Sequence, residues 1–212
     1  MRENIRVFEE NWRTYDEWYE RNERIYLAEI NALKKIVHSG KGLEIGVGTG
    51  RFAVPLGVDI GLDPSFNMLH LAKKRNIKPV QGMGENLPFK NESFNFVIIV
   101  LTICFVENTI LVLSEASRIL TKKGKLILAI INKESPWGKH YVAKAVKNKF
   151  YKFAHFFSPE EIIQKFKEIS LEFKSSYQIL FSYPYPPILK ENENPRAGYE
   201  KGGFVILEAL KN

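Results

Sequence analysis

Leu43 Glu44 Ile45 Gly46 Val47 Gly48 Thr49 Gly50, with an isolated acid at Asp63, is the stretch that decides the fold. It reads as an apolar strand, a glycine-rich turn and a second strand ending in a carboxylate, which is how an α/β sheet grips an adenosine-containing ligand. The glycines let backbone N–H groups approach that ligand because no Cβ intervenes. A carboxylate at the second strand's end can accept hydrogen bonds from both hydroxyls of a ribose. A dinucleotide fingerprint needs a third glycine three residues after the second, at a helix N-terminus that receives a pyrophosphate. Arg51 stands there instead, and the glycines fall at alternate positions, with the acid 17 residues beyond Gly46. The GxxxxGK(S/T) string of a P-loop is missing too. A nucleoside with an amino-acid tail in place of phosphates fits these residues better.

Working outward, 212 residues suit one domain with a full core. A hydrophobic fraction of 45% and a charged fraction of 26% are ordinary for a globular chain and argue against disorder. The longest apolar run, residues 96–106, is about half the ~20 residues of a membrane-spanning helix and reads as a buried strand. The N-terminal residues are charged and aromatic, without a secretory pattern, so a cytoplasmic location with no membrane partner is expected. The single cysteine, Cys104, reads as a buried core thiol, and no multi-cysteine metal site is expected. The net charge of +7 gathers partly in residues 139–152, where Lys139, Lys144, Lys147, Lys149 and Lys152 interleave with aromatics. This segment reads as a solvated helix face, with a nucleic-acid surface as the alternative.

Strand and helix patterns alternate from residue 40 to about 131, which predicts a parallel sheet with helices on both faces. Residues 1–39 form a helical cap of two helices broken near Asn22. Strands are expected at 42–45, 57–62, 79–81, 94–101 and 125–131. Ser65 and Asn108 are helix caps, and Gly124 is a breaker. Residues 132–157 form a lid-like insert in which Pro136 and Gly138 mark a loop before a helix. Ser158 Pro159 Glu160 Glu161 opens another helix with its cap, N1 proline and first-turn acids in place. Residues 171–181 and 203–210 are then paired as a closing hairpin.

The octet resembles motif I of the class I S-adenosylmethionine-dependent methyltransferases, and Gly61 Leu62 Asp63 Pro64 Ser65 is similar to their second motif. Gly82 Met83 Gly84 Glu85 Asn86 Leu87 Pro88 Phe89 resembles the family's adenine-flanking loop. Ser93 to Val97 resembles its fourth strand, and Arg118 to Leu126 its helix-to-strand-five segment. The resemblance covers about residues 40–131. It implies a Rossmann-like, doubly wound, mostly parallel seven-stranded sheet with a C-terminal antiparallel hairpin, a single methyltransferase domain and S-adenosyl-L-methionine as cofactor.

By the same resemblance Gly46 and Gly48 take the cofactor's methionine part, and Asp63 its ribose hydroxyls. Glu44 either orients the methionine ammonium or caps loop N–H groups. Pro64 and Met68 wall the adenine, although Met68 also reads as plain core. Leu101 and Thr102 face cofactor and substrate at the end of strand four. Family members carry acids where Met83 and Asn95 stand. The adenine amino group is then left to backbone at Gly84, beside Glu85, or to thioether packing from Met83.

Methyl transfer is an in-line displacement in which alignment supplies much of the rate, so a base is optional. By residue type the candidates are His140, His155, Tyr15 and Tyr185. After strand four the sequence is Leu101 Thr102 Ile103 Cys104 Phe105, not the Asn/Asp-Pro-Pro-aromatic box of base-amine methylation in nucleic acids. The reading is therefore a small-molecule acceptor. Its alternatives are an RNA methyltransferase using residues 139–152, a NAD-binding oxidoreductase, and a relative that binds the cofactor without acceptor chemistry.

Overall fold

A computed structural model describes residues 2–37, 40–182 and 193–212. Three helices open the chain: α1 (Glu3–Glu10), α2 (Trp12–Arg21) and α3 (Glu23–Leu33). The expected break at Asn22 is present, and a second one at Asn11 makes three helices rather than two. At both breaks an asparagine leaves helical geometry and its side-chain amide donates to a carbonyl four residues back, Val7 O at 2.8 Å and Trp18 O at 2.8 Å. Each side chain adds a donor to a carbonyl of the last helical turn, and Trp18 O also accepts the Asn22 N–H at 2.9 Å.

The sheet elements are β1 (Gly42–Ile45), β2 (Ile60–Asp63), β3 (Lys78–Gln81), β4 (Phe94–Val100), β5 (Leu120–Ile131), β6 (Leu171–Ile179), β7 (Arg196–Ala197) and β8 (Phe204–Lys211). Among the described residues they form one sheet in the order β3-β2-β1-β4-β5-β8-β6-β7. The first five pair in parallel, while β8 pairs antiparallel with β5 and β6. The strand count is therefore eight, not seven. The extra strand, β7, meets β6 only at Tyr177 and Gln178 through two exposed residues, too short to leave a hydrophobic pattern.

The remaining helices are α4 (Phe66–Lys74), α5 (Thr109–Ile119), α6 (Pro136–Ala145) and α7 (Pro159–Glu168). Ser65 and Asn108 cap α4 and α5 by accepting the Met68 and Leu111 N–H groups, and α7 starts with a reciprocal Ser158–Glu161 capping box. Several boundaries differ from expectation: β2 starts at Ile60 rather than residue 57, β6 ends at Ile179 rather than 181, and two others have a visible cause. After α5 the chain enters β5 at Leu120 rather than residue 125, because a bulge with Lys123 at φ 60° absorbs the register shift before Gly124. Pro136 and Gly138 lie inside α6 rather than ahead of it. Ser135 accepts the Gly138 N–H at 3.0 Å as N-cap, and a Cβ on Gly138 would strike Asn132 O.

Side chains of β4 alternate between the two faces of the sheet. Phe96, Ile98 and Val100 join Tyr19, Ile25, Ile30, Leu69 and Trp137 on one face. Val97 and Ile99 join Val112, Leu113, Ile162 and Phe166 on the other. Helices thus cover both faces, and the strand order reverses between β1 and β4. Ligands of such sheets bind at the carboxyl ends of the strands beside that reversal.

Candidate functional site

The glycine turn leaves β1 beneath β2, with Gly46 and Val47 donating N–H bonds to Leu62 O at 2.7 and 3.0 Å. Gly46 has φ 74°, and a Cβ there would collide with Thr102, whose Oγ1 lies 3.2 Å from Gly46 O. Both the backbone angle and the close approach demand glycine. Gly48, at φ 52°, donates its N–H to Asp63 Oδ2 at 2.9 Å, and Ser65 N–H donates to Oδ1 at 2.9 Å. Two backbone donors fix the Asp63 carboxylate and leave each oxygen a further lone pair. Burial raises its pKa to about 6 against those bonds, so it is charged at neutral pH.

These groups wall a cavity of about 110 Å³. Of the cofactor-site residues read from the sequence, Gly46, Gly48, Asp63, Pro64 and Met68 line it from the β1 and β2 ends. Met83, Gly84 and Glu85 line it from the loop after β3, and Leu101 and Thr102 from the end of β4. Glu44 is buried beneath the turn, outside this lining. Burial and then repulsion from Asp63 hold its carboxyl well above the usual range, against an Ala53 N–H bond, and its Oε2 has no hydrogen-bond partner among the described residues. An ionised acid beside Cβ-free backbone, an apolar wall and an orphaned carboxylate oxygen nearby suit a ligand with ribose hydroxyls and an ammonium group.

The N-terminal helices also build the site, which the motifs did not reveal. Arg2, Asn4, Ile5 and Phe8 close the cavity from α1 and the residue before it. Glu9 accepts the Ser65 hydroxyl at 2.5 Å and the Asn67 N–H at 3.1 Å, latching α1 to the N-terminus of α4, where a carboxylate is favoured. Asp16 of α2 is buried against the far side of the turn. Its Oδ2 accepts from Arg51 at 2.6 Å and Arg75 at 2.8 Å, and its Oδ1 from Thr49 at 2.5 Å. Burial alone would raise this carboxyl, but Arg75, Arg51 and Thr49 hold it well below the usual range. The arginine that occupies the dinucleotide glycine's place is therefore a clamp on α2.

Phe8, Tyr15, Leu101 and Phe105 also line a second, adjoining cavity of about 760 Å³. Its wall is largely aromatic, with Trp18 and Tyr19 from α2, Tyr141 from α6, and Phe150, Tyr151 and Phe156 from the segment after it. Tyr15 lies 3.6 Å from the position a Gly48 Cβ would occupy, and its hydroxyl meets that of Tyr19 at 2.7 Å. Burial drives the Tyr15 pKa above its ordinary value, which suits a hydrogen-bonding group better than a base. His140 lines the cavity, and burial, then Lys144, lowers its pKa. His155 is exposed, stacks edge-on to Phe157 at 4.7 Å and lies outside the lining. Tyr185 falls outside the described residues. Cys104 is half-buried on the cavity wall rather than in the core, its thiol pushed up to about 12 by burial. Glu29 of α3, not anticipated, is buried on the same wall. Its only signal was its place between Ile25 and Leu33 on the buried stripe of the helix.

In residues 139–152, Lys144 and Lys149 border this cavity, with Lys149 donating to Asn11 Oδ1 at 2.6 Å. Lys152 lies over the Phe153 ring at 4.4 Å. The segment is no single helix face, since α6 ends at Ala145.

A family model described as a methyltransferase domain matches residues 43–128. An uncharacterized protein of Methanocaldococcus jannaschii is 43% identical over 98% of this chain and 100% of its own length. The crystal structure of an SAM-dependent methyltransferase from Thermotoga maritima, a possible histamine N-methyltransferase, superposes with a TM-score of 0.93 at 42% identity, covering 98% of this chain and 99% of that one. A demethylmenaquinone methyltransferase of Staphylococcus aureus is 28% identical over 78% of this chain and 68% of its own. With the glycine turn, Asp63 and the doubly wound sheet already in place, these matches show that the chain belongs to the class I S-adenosylmethionine-dependent methyltransferases.

Proposed function

We propose that this methyltransferase acts on a small molecule held in the 760 Å³ aromatic cavity, working as a single domain in the cytoplasm. The carrying observation is that this cavity adjoins the cofactor pocket along Phe8, Tyr15, Leu101 and Phe105. Two of the relatives are named for small acceptors, one as a possible histamine N-methyltransferase and one as a demethylmenaquinone methyltransferase.

When bound, S-adenosylmethionine supplies a methyl group on a sulfonium centre that an acceptor displaces in line. In this reading Asp63 holds the ribose hydroxyls, and Glu44 attracts the methionine ammonium from beneath the turn. Gly46 and Gly48 leave room for the amino-acid part, Pro64 and Met68 flank the adenine, and Met83, Gly84 and Glu85 meet its edge. Leu101 and Thr102 border the line of transfer. Holding two reactants at contact distance is the chief contribution, since alignment alone can account for about 7 kcal/mol or more of a barrier. The aromatic wall, formed by the N-terminal helices and the 132–157 insert, excludes water. His140, kept neutral by its lowered pKa, is a group on that wall able to take a proton from an acceptor.

The RNA reading is the rival to test. Binding of the protein to a mixed RNA pool is expected to be weak, and charge reversal of Lys139, Lys147 and Lys152 to leave methyl transfer to small molecules unchanged. Micromolar RNA affinity that falls steeply with salt and disappears in that variant would overturn the small-molecule reading.

A further inference from the structure

Glu29 sits at the centre of α3, on the stripe that also carries Ile25 and Leu33, and it is 2% exposed. Its Oε2 has no hydrogen-bond partner, and no ion pair to Glu29 exists among the described residues. An uncompensated buried carboxylate is costly, and a leucine or glutamine at this position would pack into the same stripe with less penalty. The side chain lines the larger cavity, not the cofactor pocket, so the expense falls where an acceptor is held. Tyr15, Tyr19 and Tyr141 lie near enough to feel its charge, and Trp18 lines the same cavity; such aromatic rings attract cations.

On the reading that this cavity holds the acceptor, we propose that Glu29 is its specificity anchor: the acceptor carries an amino group that pairs, as an ammonium, with this carboxylate among the tyrosine and tryptophan rings. Because Glu29 lines the larger cavity and not the cofactor pocket, the anchored amine is distinct from the methylated atom, which reaches the shared wall at Leu101 and Phe105. The acceptor class is accordingly a compact aromatic or apolar molecule with a cationic amine at one end and a nucleophilic atom at the other. Burial raises the Glu29 pKa to about 8, so the group is largely protonated at neutral pH. Entry of an ammonium expels that proton to solvent, and entry of the free amine takes it up. Either route leaves the same ion pair.

The test compares two probes of nearly equal shape, 2-phenylethylamine and 2-phenylethanol, by calorimetry and Trp18 fluorescence with S-adenosylhomocysteine present. The wild type is expected to bind the amine at least about tenfold tighter than the alcohol. Glu29→Gln is expected to lose that preference and Glu29→Asp to keep part of it, while both variants retain S-adenosylhomocysteine affinity, which reports an intact fold. Equal binding of the two probes by the wild type, or a preference that survives in Glu29→Gln, overturns the anchor and leaves the small-molecule reading standing. Failure of both probes to bind a protein that still takes S-adenosylhomocysteine overturns both.

Discussion

The cofactor pocket and the cavity beside it are made of different material. The pocket is built from backbone at the ends of β1, β2 and β4, where Gly48 and Ser65 N–H groups hold Asp63 and the turn leans on Leu62 O. Its geometry follows from the sheet itself. The cavity is built largely from side chains brought in by α2, α3 and α6, and on its wall is a buried carboxyl group whose Oε2 has no hydrogen-bond partner among the described residues. On the proposed reading, one region takes the cofactor shared by the family, whereas the other takes the acceptor. Asp16 joins them, since it ties α2, which carries Tyr15, Trp18 and Tyr19, to the back of the glycine turn.

Breaking that joint has the largest expected effect. Asp16→Ala leaves Arg51 and Arg75 without their partner and is expected to cost about 3 to 5 kcal/mol in denaturant unfolding. A loss under about 1 kcal/mol would mean the trio behaves as a surface pair. Asp63→Ala acts on the pocket alone, with S-adenosylmethionine affinity falling by about 1 to 3 kcal/mol in calorimetry. Binding of aromatic probes to the cavity is expected to remain, and unchanged cofactor affinity would contradict the role given to Asp63.

Glu29→Gln acts on the cavity alone, and its effect depends on pH. Glu29 has a folded pKa of about 8 against an ordinary 4.5, so the folded state keeps a proton that the unfolded state has lost. Stability contributed by this group is complete below about pH 4.5 and declines as pH rises through 8. Glu29→Gln is therefore expected to gain at least about 1 kcal/mol over wild type at pH 9 relative to pH 4, read from melting curves. An equal difference at both pH values would place the carboxylate in contact with water. The smallest effect is expected from Tyr15→Phe, which removes the 2.7 Å contact with Tyr19 and costs about 1 kcal/mol of stability. A far larger loss in methyl transfer than in stability would place the Tyr15 hydroxyl at the reacting atoms.

How much of this was legible follows the same division. Glycine spacing, strand ends and helix caps are local codes, so the glycine turn, the first five parallel strands and the caps at Ser65, Asn108 and Ser158 could be read from neighbouring residues. The cavity depends on partners far apart in sequence. Asp16 meets Arg51 and Arg75 across 35 and 59 positions, and Glu9 meets Ser65 across 56. In charged, aromatic helices such acids look like solvent-facing residues. Glu29 broke the apolar stripe of α3, yet one acid among apolar neighbours carries no spacing signature. The two-residue β7 and the break at Asn11 left no periodic trace either.

The most direct test is mass spectrometry of a small-molecule extract and an RNA fraction, each incubated with the protein and isotope-labelled S-adenosylmethionine. The expected result is a small product, heavier by one labelled methyl group and carrying a free amine, that disappears with Asp63→Ala and diminishes with Glu29→Gln. Label found only in RNA would contradict the account.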